Sequence, residues 1–259
     1  MIRNKSYRHN HLDLFYELAR TDFILRYNNS LLGIIWVLLK PILMFAVIFF
    51  VFSLIFKSKD PHYRYNLFLG IILFSFFSEA TQRGITCLQE KARIILKLNF
   101  PKFLAIYTST FNSFISFIFS MLAYLFFWIF TKDSNTQLHL IYFSFQILIL
   151  IMLITGINFF ISIIYPKFRD LHNIWEILLK LLFYFTPVIY PLTVIPEHLQ
   201  TIFLLNPLAV IISESRKALI TNDPFSWQQT LYVFFLAVIL LIAGFIFFQK
   251  NVKKIAENL

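Results

Sequence analysis

The chain has 259 residues, of which 59% are hydrophobic and only 14% charged, and its mean hydropathy is +0.72. An average soluble domain is about 45–50% apolar and about 25% charged, so disorder and a collagen-like repeat are excluded, and a single cysteine, Cys87, excludes a disulfide scaffold. The formal charge of +10 would point to nucleic acid in a soluble protein; in a chain this apolar, its location decides its meaning.

A membrane-crossing helix needs about 20 apolar residues. Continuous apolar runs without alternation predict helices rather than a barrel, hence an all-α polytopic membrane protein. Residues 1–30 carry Asp13, Glu17 and Asp22 among five basic residues and lack the unbroken apolar core of a secretory signal. They read as a retained N-terminal segment. Leu14, Phe15, Leu18 and Ala19 fall on one side of a helix, with Asp13, Glu17 and Arg20 on the other, an interfacial pattern that weakens at Asp22 and Arg26. Such a helix orients the first span on the membrane face or touches a cytoplasmic partner.

Residues 31–259 read as one six-helix transmembrane domain with spans at Leu31–Phe56, Tyr65–Thr81, Phe103–Phe130, Leu138–Ile164, Ile174–Tyr190 and Trp227–Phe248. In the first, Lys40 precedes Pro41, where the lysine can snorkel or the proline kink the helix. Phe45, Phe49, Phe52 and Phe56 form an aromatic stripe on one face, suited to lipid packing or to an aromatic-lined path that contacts sugar rings and acyl chains loosely. The path candidates are Trp36, Phe45, Phe49 and Phe52, joined by Phe183 and Tyr184 of the fifth span.

An even number of spans puts both termini on one side. The loops sharing that side hold fifteen Lys and Arg residues, and the opposite loops hold six. The positive-inside rule makes the richer set cytoplasmic. Nearly all the net charge therefore lies on the cytoplasmic face, where it meets anionic lipid and a protein partner rather than nucleic acid.

The cytoplasmic segment Gln82–Lys102 places Leu88, Ala92, Ile95 and Leu96 at helical spacing beside Gln89, Glu90, Lys91, Arg93 and Lys97. It predicts a short amphipathic helix lying across the membrane face, with Pro101 opening the next span. Ionisable residues within spans carry a functional default. Glu79 with Arg83 and Glu176 with Lys180 are each four residues apart, acid first, which favours helical ion pairs; they read as structural neutralisation or as gating elements. Between the last two spans, Pro187, Pro191, Pro196 and Pro207 break an apolar stretch too often for one crossing helix. Two half-inserted helices are expected instead, Glu197–Leu205 and Pro207–Ile220, the second capped by Asn206. This is a candidate external gate.

Catalytic patterns are missing. The six histidines are scattered, His9 and His11 being the only close pair, and the five glycines spell neither a P-loop nor a dinucleotide fingerprint. The chain is expected to hydrolyse no ATP and to hold no metal or cofactor itself.

The stretches RTDFILRYNNSLLGIIWVLLKPI (Arg20–Ile42), ILKLNFPK (Ile95–Lys102), RDL (Arg169–Leu171), TPVIYP (Thr186–Pro191) and LNPLAVIISESRKALI (Leu205–Ile220) occur in the order seen in one family. The chain resembles the permease subunits of ATP-binding-cassette exporters of bacterial surface polysaccharide, of the O-antigen, capsule and teichoic-acid type. It departs at KLNFP, where a second basic residue more often precedes Phe-Pro. The resemblance implies a homodimer in the bacterial cytoplasmic (inner) membrane, driven by two copies of a P-loop ATPase that carries ATP and Mg. It implies a lipid-linked polysaccharide as substrate, and a coupling helix around Glu90–Phe100, with Glu90, Lys91, Arg93, Lys97 and Phe100 facing the ATPase. It also implies periplasmic gate helices, with Pro187, Tyr190, Pro191, Asn206, Pro207 and Arg216 at the gate. The competing readings are a drug or lipid efflux permease and a membrane-embedded enzyme that modifies glycan or lipid.

Overall fold

The computed structural model describes residues 11–27, 33, 35–56, 62–92, 101–131, 138–221 and 223–255. Among them the secondary structure is entirely helical, in nine α-helices: α1 (His11–Tyr27), α2 (Ile35–Phe56), α3 (Tyr63–Glu90), α4 (Phe103–Thr131), α5 (Leu140–Ile164), α6 (Leu171–Phe185), α7 (Glu197–Leu204), α8 (Pro207–Arg216) and α9 (Trp227–Ile255). A 3₁₀ turn at Leu192–Val194 precedes α7, and a π-helical turn at Lys217–Thr221 follows α8.

Four of these helices, α2, α4, α5 and α9, are long and apolar enough to cross a membrane. The other two expected spans differ from this pattern for separate reasons. Helix α3 is long enough, but Asn66, Glu79, Gln82 and Arg83 lower its hydropathy; it is buried along most of its length, so neighbouring helices rather than lipid cover it. Helix α6 stops at Phe185 and has 15 residues, about 22 Å, short of a hydrocarbon core of about 30 Å. Thr186 is extended, at φ −104° and ψ 137°, because Pro187 follows and disfavours helix at the residue before it.

The core is built around α3, whose Leu69, Ile71, Ile72 and Leu73 are fully enclosed together with Ile149 and Leu150 of α5 and Val210 and Ile211 of α8. A smaller apolar cluster joins α1 (Leu18) to the far end of α3 (Cys87, Leu88), the start of α4 (Leu104, Ala105, Ile106) and the ends of α5 and α9 (Phe159, Phe248). The most extensive helix contact is α5 on α9. A Cβ added to Gly244 would lie 2.6 Å from the Gly156 carbonyl oxygen, and one on Gly156 would lie 2.9 Å from the Leu240 carbonyl carbon. Small residues let two backbones approach this closely, the usual solution where lipid supplies no hydrophobic drive.

Helix α1 presents the expected face: Leu18 and Ala19 are buried while Asp13, Glu17 and Arg20 are exposed, and Phe15 meets Phe111 of α4 edge-on at 5.4 Å. The segment Gln82–Lys102 departs from expectation. Residues Gln82–Glu90 do not form a separate surface helix but prolong α3 without a break, because Ile85 and Leu88 continue its buried face. Arg93, Ile95, Leu96, Lys97 and Phe100 lie outside the described residues, as do residues 1–10 with His9 and the first residues of the expected first span.

Candidate functional site

Three polar constellations sit within this apolar frame. The largest surrounds a cavity of about 840 Å³ lined by residues of α1, α2, α3, α4 and α6. Its walls carry Arg26, Lys40, Glu79 and Arg83, a run of hydroxyls at Ser75, Ser78, Ser113, Ser116 and Ser120, and the aromatic rings of Trp36, Phe74 and Phe117. The Glu79 carboxylate is 2.7 Å from Arg26 Nη1 and 3.4 Å from Arg83 Nε through one oxygen, Oε1, and Arg26 also donates to Ser116 Oγ at 2.9 Å. The expected Glu79–Arg83 pair is therefore half of a bridge in which the closer partner comes from α1.

The second constellation ties α1 to the end of α3. Lys91 is only 4% exposed. Its Nζ lies 2.6 Å from Asp22 Oδ2 and donates to Thr108 Oγ1 at 2.6 Å and to the Ala105 carbonyl at 3.3 Å. An ammonium has three donors, and here each has an acceptor. Lys91 was expected on the surface offered to a partner; it is instead an internal strut between three helices. Asp22 and Arg26 break the amphipathic pattern of α1 because both reach inward, to Lys91 and Glu79. Nearby, Cys87 is 1% exposed, and burial pushes its thiol up to about 12.

The third constellation holds the broken segment after α6. Arg216, at the end of α8, donates from Nε to the Asn66 carbonyl at 3.1 Å, from Nη1 to the Pro187 carbonyl at 2.7 Å and from Nη2 to the Val188 carbonyl at 2.8 Å. Chain that leaves a helix inside a membrane frees carbonyls that must find donors, and the planar guanidinium fork supplies several at once. Gly70 of α3 makes room: a Cβ there would lie 2.7 Å from Arg216 Nη2. Asn206 caps α8 by accepting from the Leu208 amide at 3.0 Å and donates to Thr186 Oγ1 at 2.9 Å, with Pro207 in the first turn. Pro191 leads into the 3₁₀ turn, and the Tyr190 hydroxyl donates to the Tyr184 carbonyl at 2.7 Å. Beside these, Glu214 is fully buried. It accepts from the Tyr142 hydroxyl at 2.8 Å, from Lys217 Nζ at 2.7 Å and from the Ser226 amide at 3.0 Å.

The expected path residues are not gathered on one open wall. Phe45 stacks on Phe68 at 4.6 Å and meets Phe127 edge-on at 5.6 Å, and Phe49 and Phe52 also pack against the core. Within one chain Phe45, Phe49 and Phe52 face the bundle, while the opposite side of α2, with Val47 and Phe50, is exposed. Phe183 is buried against Phe74 at 5.1 Å, Tyr184 is exposed, and Trp36 lines the cavity. Glu176 and Lys180 form a pair at 2.8 Å on an exposed face of α6, and Glu90 is exposed and accepts from Thr86 Oγ1. Sequence reasoning missed the inward roles of Asp22 and Arg26, the hydroxyl row of α4 and the Glu214 cluster. A carboxylate in the apolar run PLAVIISES was the one visible signal for the last.

A helical membrane bundle with a polar cavity among its spans and a broken segment clamped by arginine defines a membrane transport subunit. The chain belongs to the ABC-2 type transporter family, whose model matches residues 13–220; its members are permease components and not themselves enzymes. Among individual proteins it is similar to an O-antigen export system permease protein RfbA of Klebsiella pneumoniae, 26% identical over 95% of both chains, and to one of Myxococcus xanthus, 24% identical over the full length of both. It is also similar to the polysialic acid transport protein KpsM of Escherichia coli, 23% identical over 74% of this chain and 76% of that one.

Proposed function

We propose that this chain is the membrane subunit of an ATP-driven exporter that carries a lipid-linked surface polysaccharide outward across the bacterial cytoplasmic membrane. The observation that carries this reading is its similarity, along nearly the whole of both chains, to O-antigen export permeases. Two copies would flank the pathway, each with a copy of a P-loop ATPase that binds ATP and Mg, since a single chain offers only one side of a passage. Both termini would face the cytoplasm, as the excess of basic residues on that side favours. Helices α3 and α6 would complete six spans, α3 shielded by its neighbours and α6 extended by the Arg216-clamped chain that follows it. The short helices α7 and α8 would form the outer gate. ATPase closure would reach the bundle through the segment after Glu90 and, by way of the Lys91–Asp22 strut, move α1, shifting the balance between closed and open pathways.

Deleting the subunit in its native cell and measuring lipid-linked glycan on the outer face tests the proposal. Glycan should accumulate inside and vanish outside; unchanged export would overturn it.

A further inference from the structure

We infer that the apolar groove between α1, α4 and α5 holds one acyl chain of a phospholipid from the leaflet on which α1 lies. Leu104, Tyr107, Phe111 and Phe114 follow one another at spacings of three and four residues along α4 and so form a single wall. Ile151 of α5 faces the same space, as does Phe15 of α1, whose ring meets that of Phe111 edge-on at 5.4 Å. Tyr107 and Phe111 are 38% and 41% exposed, so the groove opens on the outer surface of the bundle. Both α4 and α5 are long and apolar enough to cross a membrane, which makes hydrocarbon the medium at that opening.

The lining suits nothing but hydrocarbon. Among the described residues no charged side chain lines it, and its two threonine hydroxyls are already engaged: Thr155 Oγ1 donates to the Ile151 carbonyl at 2.7 Å, and Thr110 Oγ1 accepts from Asn158 Nδ2 at 3.2 Å. Water finds too few polar partners there, and an unfilled groove would forfeit dispersion contacts along its whole lining. Dimensions choose among apolar occupants. The wall from Leu104 to Phe114 begins one residue inside α4 and runs about 15 Å, half of a hydrocarbon core of about 30 Å. It therefore spans the depth of one leaflet. A volume of about 390 Å³ spread over that length leaves a section of about 26 Å², whereas a helix with its side chains is about 10–12 Å across. A partner helix or a second copy does not fit in it; a single extended chain does. The site depends on α4 and α5 crossing a membrane and not on the export reading above. A chain lying beside Phe15 would complete the seat of α1, the helix whose Asp22 and Arg26 reach Lys91 and Glu79.

The test is photolabelling of the purified full-length chain in detergent micelles, titrated with phosphatidylethanolamine that carries a diazirine midway along one acyl chain, with adducts mapped by peptide mass spectrometry. Adducts between Leu104 and Phe114 should saturate, whereas those around Phe235 and Ile239 on the open face of α9 should rise in proportion to the lipid added. Ile151→Trp fills the groove and should lower the α4 adducts roughly fivefold or more, the lower end of an overpacking clash, while leaving those on α9 unchanged. If that variant does not fold, the wild-type chain still decides by competition: a single-chain lysophospholipid should displace the label, and glycerophosphoethanolamine, the headgroup without chains, should not. Non-saturating labelling of both helices alike, displacement by the headgroup alone, or labelling unaltered in a folded Ile151→Trp chain would overturn the inference. Protection of the groove that disappears on dilution to monomers would assign it to a second copy and overturn the inference as well.

Discussion

Lys91 Nζ and Asp22 Oδ2 lie 2.6 Å apart across the junction of α1 and α3, and the two ends of the pair are unequally placed. Lys91 is enclosed, its side chain 5% exposed, whereas that of Asp22 is 27% exposed. Removing the carboxylate strands a buried ammonium, while removing the ammonium leaves a carboxylate that water can reach. Asp22→Asn should therefore destabilise the chain by about 2–3 kcal/mol and Lys91→Met by less, below the full range for a broken buried pair because of Asp22's exposure. Denaturant unfolding of the purified protein measures both; equal costs would argue against the asymmetry.

Arg216 satisfies three backbone carbonyls, two of them in the unwound chain after α6. Lysine keeps the charge but not the fork, so Arg216→Lys should lose about 2–4 kcal/mol, the value of one or two charged hydrogen bonds to buried acceptors. Gly70→Ala should act on the same clamp from the other side, since its methyl would press on Arg216 Nη2 and on the Val188 carbonyl at 3.0 Å. Protease sensitivity of the segment between α6 and α8 should rise in both variants; if it is unchanged, Arg216 does not hold that segment.

Gly244→Ala places a methyl against the Gly156 carbonyl oxygen at 2.6 Å. The obstacle is backbone in a helix, which cannot swing aside, so α5 and α9 must separate. The expected cost is about 1–3 kcal/mol, with larger losses for valine at either glycine. A thermal shift in detergent measures it, and a neutral Gly244→Val would contradict the close approach.

Cys87 should not react with maleimide in the folded protein at neutral pH, because it is enclosed and its thiol is held up at about 12. The unfolded value is near 9, so the sign follows from linkage: the folded state favours the protonated thiol. This contribution to stability is complete below pH 9 and is lost as pH rises from 9 toward 12. Labelling should appear in denaturant and accelerate above pH 9. Rapid labelling at pH 7 from either side of the membrane would show that α1 does not cover this end of α3.

Much of this architecture was legible from residue order. The all-helical class, the ends of α4 and α5, the start of α9, the face of α1 and the two short helices around Pro207 follow from local properties: apolar run length, helical spacing, and proline's missing donor and its clash with preceding helix. The same local rules misplaced the end of α3. They ended the second span at Thr81 and set a separate surface helix beyond it, when Ile85 and Leu88 carry one buried face onward.

By itself the sequence determined that this is a basic, polytopic helical membrane protein with a proline-broken segment late in the chain, because hydropathy and backbone restriction act residue by residue. Tertiary structure decided which charges are used and where. Lys91, 69 residues from Asp22 in the chain, is a strut and not a surface contact; Phe45, Phe49 and Phe52 pack inward; and Arg26, Lys40, Glu79 and Arg83, spread over three helices, meet at one cavity. Such pairings depend on which helix faces touch, and that is set by packing between distant segments, which no local pattern records.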